Sequence, residues 1–218
     1  MLILRMAAAL LLLASSQRPS LEARFIGNMA FAISDGTTTL MTDFPYESGY
    51  SVYNEYPASE IRSATKSTLA LITHRHGDHW EPSLFAKTDW QVAGPEDVIA
   101  KAPAHRVLPL ADRTTFGPIV IERIRTPHHD VGHNSYVVNW HGRRLYFSGD
   151  TEETASLMAS KNLDVAFISP WIFQAVVKAG LKPDAKRIVI YHHTATERIT
   201  ECPARCTQPR QGDTIRIE

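Results

Sequence analysis

Apolar and polar positions along this chain fall into short runs, and most of these runs have the length and alternation of strands. Residues 24–34 (Arg-Phe-Ile-Gly-Asn-Met-Ala-Phe-Ala-Ile-Ser) alternate loosely and predict a first strand. Asp35-Gly36 is a hairpin turn signal, so residues 37–42 return beside that strand and deliver Asp43 at their end. Residues 46–56, rich in Tyr, Ser and Gly, read as a loop, and residues 57–65 as a short helix. Residues 68–73 form an apolar run with the character of a buried strand. A helix over 81–87, a strand over 90–92 and a helix over 95–101 continue an alternating order. Strands follow over 106–110, 119–125, 134–140 and 143–147, the last two joined by a His141-Gly142 turn. A helix over 152–160, strands over 163–169 and 187–191, and an edge strand over 213–217 complete the order. Hairpins mixed with strand–helix units predict α/β layers, sheet against sheet inside and helices outside.

Composition changes this picture little. With 218 residues, 44% hydrophobic and 21% charged, the chain is long enough and apolar enough for one domain with a sizeable core. Its formal charge is zero, which gives no polyanion-binding surface and makes nucleic acid an unexpected partner.

The first residues stand apart from that domain. A short basic start through Arg5, an apolar stretch over 6–14 and the small residues Ala14-Ser15-Ser16 predict a signal peptide over 1–16. The domain then runs over 17–218, exported to the periplasm or the exterior. The apolar stretch is too short to span a bilayer, so no stable membrane anchor is expected after its removal. In an oxidising compartment Cys202 and Cys206 would close a small disulfide loop; a metal-binding pair is the alternative.

Chemistry concentrates in four places, each at the end of a predicted strand, where α/β architectures collect it. Thr73-His-Arg-His-Gly-Asp-His79 sets three histidines and an aspartate within six positions. Imidazole and carboxylate are the usual protein ligands of zinc and similar divalent ions. His74 and His76, two apart, share one face if the strand continues through them. Thr126-Pro-His-His-Asp-Val-Gly-His133 precedes a strand and offers further histidines. Ser148-Gly149-Asp150-Thr151 ends an apolar strand with a carboxylate, which taken alone could equally be a helix N-cap. His192-His193 ends another strand.

In order and spacing these motifs resemble the metallo-β-lactamase superfamily across nearly the whole mature chain. Residues 73–79 look like its His-x-His-x-Asp-His signature, 129–133 like its His-x-x-Gly-His element, and 149–151 like its Gly-Asp-Thr. The resemblance implies a four-layer αβ/βα sandwich of two mixed β-sheets flanked by helices. It implies that His74, His76 and His133 hold one metal and that Asp78, His79 and His192 hold another, with Asp150 bridging. His193 competes with His192 for the last position. Asp43 is similar to the family's aspartate that supports a ligand histidine from behind. His128 and His129 then take structural or substrate-facing roles.

Two divalent ions so held, zinc first with manganese or iron as alternatives, could share a hydroxide and polarise the scissile group. Asp78 would orient that water and receive its proton. The expected activity is hydrolysis of an ester-type bond in a small molecule: a lactone, carboxylic ester, thioester or phosphodiester. A β-lactamase is the alternative, disfavoured because those members carry cysteine or serine where this chain has Asp150. A non-catalytic protein on the same fold would be expected to lack a ligand. An iron redox protein would be expected to carry acidic residues where this chain has histidines. Arg75, Trp80 and Trp171 are candidates for substrate contact. The sequence is silent on oligomeric state.

Overall fold

A computed structural model describes residues 19–48, 54–62, 65, 67–199 and 202–218. The expected signal peptide lies outside the described residues. Among the described residues, thirteen strands form two mixed sheets. The first holds β1 (Leu21–Gly27), β2 (Ala30–Ser34), β3 (Thr38–Thr42), β4 (Ser67–Leu71), β5 (Gln91–Ala93) and β13 (Thr214–Ile217). Its order is β13-β1-β2-β3-β4-β5, antiparallel as far as β3 and parallel from β3 to β5. The second holds β6 (Arg113–Phe116), β7 (Ile119–Arg125), β8 (Asn134–Trp140), β9 (Arg143–Phe147), β10 (Leu163–Ile168), β11 (Ala185–Ile190) and β12 (Cys206–Thr207). Its order is β12-β11-β10-β9-β8-β7-β6, parallel from β12 to β9 and antiparallel beyond.

The apolar runs are continuous because both faces of the central strands are covered, and successive side chains serve different layers. Leu69 and Leu71 enter the core between the sheets, while Ala70 and Ile72 pack outward against α1 (Pro82–Phe85) and α2 (Glu96–Ile99). In the second sheet Val165, Phe167, Val189 and Tyr191 face inward. Ala166, Ile168, Ile188 and Ile190 meet α3 (Ala155–Ala159) and α4 (Pro170–Lys178) on the outside. A one-residue slip in any of these strands would exchange the two layers, so the core fixes their register. The four-layer sandwich follows directly.

Several local expectations are corrected. Residues 24–34 form a hairpin, not one strand: Gly27 (φ 144°) and Asn28 (φ 50°) turn the chain, and Phe25 pairs with Phe31. Residues 106–110 make only a single bridge, Val107 to Val92, since Pro109 has no amide to donate. The strand lies further on, at β6, whose Arg-Thr-Thr-Phe carries little apolar signal. Helix α4 was not expected. Its Ser169 side chain caps the Ile172 amide, Pro170 occupies the first turn, and Ile172, Phe173 and Val176 form the buried stripe. Cys202 and Cys206 are joined by a disulfide.

Candidate metal centre

The two sheets bring strand ends together at one rim, and hydrogen bonds stitch that rim across the sheets. Asn134 at the start of β8 donates its amide to the Thr73 carbonyl (3.0 Å), and the Tyr136 hydroxyl donates to the Ile72 carbonyl (2.8 Å). Beyond β4 the carbonyl of His76 accepts from the amides of both His79 and Trp80 (2.9 Å each). This tight turn folds residues 74–79 onto one centre. Three strand ends leave their sheets with positive φ: Asp43 after β3 (44°), Gly149 after β9 (60°) and His192 after β11 (56°). Non-glycine residues rarely adopt this conformation, and here it aims Asp43 and His192 at a common point.

Asp43 is the deepest anchor. Its carboxylate accepts from the Thr73 amide (2.7 Å) and lies 3.0 Å from the Thr73 hydroxyl. It also lies 3.3 Å from Nδ1 of His79. An acceptor facing Nδ1 places the proton there and turns Nε2 outward as a bare donor atom for a metal. Nε2 of His79 is 3.2 Å from Asp150 Oδ2 and 3.7 Å from Asp78 Oδ2. Nε2 of His192 is 3.3 Å from Asp150 Oδ2 and 3.5 Å from Asp78 Oδ2. On the other side His74 Nε2 lies 2.9 Å from His76 Nδ1, and His128 Nε2 lies 3.4 Å from that same atom.

Three groups of ligand-type atoms result, with members within 4.8 Å of one another: His74, His76 and His128; His74, His79 and Asp150; Asp78, His79 and His192. They overlap through His74 and His79. His128 stands with His74 and His76 in the first group, and the His133 ring lies 5.3 Å from that of His74. His133 accepts the Asp150 amide on Nε2 (2.9 Å) and faces the Thr126 hydroxyl with Nδ1 (2.8 Å).

The electrostatics divide the histidines into two kinds. Burial pushes His74 and His76 down, and it pushes His133 down to about 3, so all three imidazoles are neutral. Burial also opposes charge on His79 and His192, but Asp150 outweighs it, raising His79 well above its usual range and His192 to about 9. Asp150 is correspondingly held far below the usual carboxylate range, against its burial, by His79 and His192. Among the described residues, Nε2 of His79 and Oδ1 of Asp150 are buried without a hydrogen-bond partner. Buried polar atoms are seldom left so, and an imidazole–carboxylate donor set of this kind fits a divalent cation.

The remaining candidates separate. Trp171 belongs to the site: its indole donates to the Thr151 carbonyl (3.0 Å) and its ring lies 5.1 Å from that of His192. His129 is exposed and lines a cavity of about 440 Å³ with Pro127, His128, Glu152 and Glu153. Arg75 instead pairs with Asp97 (3.1 Å). Trp80 is only 2% exposed and packs on Phe85 in the outer core, so it forms no wall of the site. His193 packs against Phe25, away from the centre. Two contributors had no sequence signal: the Thr73 hydroxyl, 3.1 Å from His74 Nδ1, and Asn28, whose carbonyl accepts the His192 amide (2.6 Å).

A two-sheet sandwich with a histidine–carboxylate centre at the strand ends defines a class of metal-dependent enzyme, and comparison with known proteins agrees. A family model described as a beta-lactamase superfamily domain matches residues 22–170. The chain belongs to the metallo-β-lactamase superfamily and is a metal-dependent hydrolase of that superfamily. It is 27% identical to a UPF0173 metal-dependent hydrolase of Deinococcus radiodurans over 220 residues, covering 90% of this chain and 96% of the relative. Two solved structures share the fold. Igni18, a metallo hydrolase of Ignicoccus hospitalis, has a TM-score of 0.71 at 17% identity, covering 91% of this chain and 99% of that one. The metallo-β-lactamase fold protein YhfI of Bacillus subtilis has a TM-score of 0.63 at 15% identity, covering 89% and 99%.

Proposed function

We propose that the chain binds two divalent ions and hydrolyses an ester-type bond in a small molecule outside the cytoplasm. The observation that carries this reading is the sharing of Asp150. One carboxylate oxygen stands 3.2 Å from His79 and 3.3 Å from His192, while His74 and His79 link the three candidate groups. His74, His76 and His128 would hold one ion, Asp78, His79 and His192 the other, with Asp150 between them. Zinc is the first candidate, and manganese or iron suits the same donors.

Bound divalent ions polarise a carbonyl or phosphoryl oxygen and lower the pKa of water. The chain's own groups do the rest. Asp43 fixes the tautomer of His79, and Asp78, with 13% of its side chain exposed, would accept a proton from water. Glu152 and Glu153 beside the adjoining cavity favour a neutral ester or lactone over an anionic phosphodiester. An aspartate at position 150 weighs against β-lactams. Export is supported by the signal-like pattern over 1–16 and by the disulfide between Cys202 and Cys206, a bond of oxidising compartments.

The test is metal analysis of the purified protein together with hydrolysis of lactone, aryl ester, bis-aryl phosphate and β-lactam reporters. Two equivalents of metal per chain, with lactone or aryl ester turnover lost in Asp150→Ala and His128→Ala, is the expected result. A metal-free protein, or turnover that survives Asp150→Ala, overturns the reading.

A further inference from the structure

We infer that the chain carries a second small-molecule site, apart from the metal centre, built for a compact anion that also bears a hydroxyl group. A cavity of about 400 Å³ is lined by Asn54, His193, Arg198, Gln208, Arg210 and Gln211, none of which belongs to the candidate metal groups. Although His193 follows His192 directly, the two rings part. His192 faces Asp150, while His193 lies 5.4 Å from the Phe25 ring.

His193 carries the argument for a ligand. It is 4% exposed, and its Nδ1 stands 3.0 Å from the Thr194 carbonyl. A carbonyl only accepts, so Nδ1 bears the proton and Nε2 presents a lone pair. That Nε2 is buried and has no hydrogen-bond partner among the described residues. An acceptor left unsatisfied at such depth is destabilising, and the group it lacks is an N–H or O–H donor.

The rest of the lining supplies positive charge on a fixed frame. Arg198 and Arg210 make no ion pair among the described residues, and Arg198 is braced by the carbonyls of Ala195 and Glu197 (3.3 and 2.7 Å). Gln208 is pinned through both ends of its amide, accepting from the Ile199 amide (3.0 Å) and donating to the Glu197 carbonyl (2.8 Å). Among the described residues no carboxylate lines the cavity. The neighbouring Glu197 and Asp213 are engaged by the amides of Thr194 (3.3 Å) and Arg210 (2.8 Å). Two guanidinium groups and one bare imidazole nitrogen select a molecule that offers negative charge to the first and a hydroxyl to the second. A phosphorylated polyol or a hydroxy acid has this chemistry. The inference is independent of the hydrolytic reading.

The test is calorimetric titration of the full-length protein with glycerol 3-phosphate, compared with glycerol and with methyl phosphate at pH 8. Glycerol keeps the hydroxyls without the charge, and methyl phosphate keeps the charge without a donor. Glycerol 3-phosphate should bind at least tenfold more tightly than either. Arg198→Ala and Arg210→Ala, both at exposed side chains, should each weaken it about tenfold. His193→Phe should reduce it to the level of methyl phosphate. If His193→Phe does not fold, the two arginine variants decide. Absence of binding, or binding that is unchanged in both arginine variants and lost in Asp150→Ala, overturns the inference, since the latter pattern places the probe at the metal centre.

Discussion

Gly149 separates backbone strain from steric support of the centre, and Gly149→Ala tests whether His133 is seated as described. A Cβ at Gly149 would stand 2.3 Å from Nε2 and 2.7 Å from Cε1 of His133, and 2.9 Å from Cβ of Thr73, where ordinary contact begins near 3.4 Å. The His133 ring cannot yield by an ångström without releasing the Asp150 amide it accepts at 2.9 Å. The proper control is Gly117→Ala. Gly117 has nearly the same φ (52° against 60°), but nothing lies within 4 Å of its added Cβ. Left-handed strain of about 1–2 kcal/mol is therefore common to both variants. Overpacking and the lost buried hydrogen bond add roughly 2–5 kcal/mol at Gly149 alone. Against a typical stability of about 5–15 kcal/mol the variant still folds, so the difference is measurable by urea denaturation. Metal content should fall with it, because the displaced ring frees the Asp150 backbone. Equal denaturation midpoints for the two variants, with equal metal retention, would refute this account of the turn.

Asp43→Asn keeps an acceptor for the Thr73 amide but can donate to His79 Nδ1, driving the proton to Nε2. Metal affinity should fall roughly 10–100-fold by chelator competition. Asp43→Ala should in addition cost about 3–5 kcal/mol of stability, since it strips a partner from a buried pair. The raised value of His192, about 9, means that this imidazole is protonated at neutral pH in the metal-free protein and must lose its proton to bind a cation. Apparent metal affinity should therefore rise with pH up to about 9, and a flat profile from pH 6 to 9 would contradict the coupling of His192 to Asp150. At the far end of the molecule Asp35 is held well below its usual range. Its burial opposes this, but the Thr38 amide, His141 and the Thr37 amide outweigh it. The stability it contributes is present above the unfolded value near 3.9 and is lost as pH falls below that toward the folded value. Asp35→Asn should therefore flatten the fall in stability below about pH 4, as read by denaturation across an acid series.

The central strands were legible because burial on two faces writes itself as an unbroken apolar run; residues 69–72 and 188–190 carry it plainly. Short elements were not. A helix of four residues such as Pro82–Phe85 completes barely one turn and shows no period, so its ends could not be read. The hairpin at Gly27-Asn28 was hidden because apolar residues continue through the turn, and only the glycine–asparagine pair marked it. Helix α4 did carry a signal, in Ser169-Pro170 and the spacing of Ile172, Phe173 and Val176. Its Phe173 is 3% exposed in the outer core, two residues beyond Trp171.

At the centre, the strand ends fix where the candidate residues emerge, and the loops decide how each ring turns. Asp150 and His192 come just after β9 and β11, whose register the core fixes, while His74 and His79 lie on the turn beyond β4. The choice between His128 and His133 depends on how the loop between β7 and β8 turns, through a positive φ at His129 (42°) and a local bridge between His128 and Asp130. Neither has a periodic trace in sequence. His133 abuts β8, and there its ring meets the backbone of the Gly149–Asp150 turn. Thr126 at the far side of the loop mouth pairs with it twice, amide to carbonyl (3.2 Å) and hydroxyl to Nδ1 (2.8 Å), and Asp150 takes Nε2. The Thr126 hydroxyl in turn meets Ser135 Oγ (3.1 Å), which donates to the Ser148 carbonyl (2.7 Å). Like His74, His133 has a partner at both ring nitrogens. It holds the Gly149–Asp150 turn in place, whereas His128, five residues earlier on the loop, turns its Nε2 to within 3.4 Å of His76.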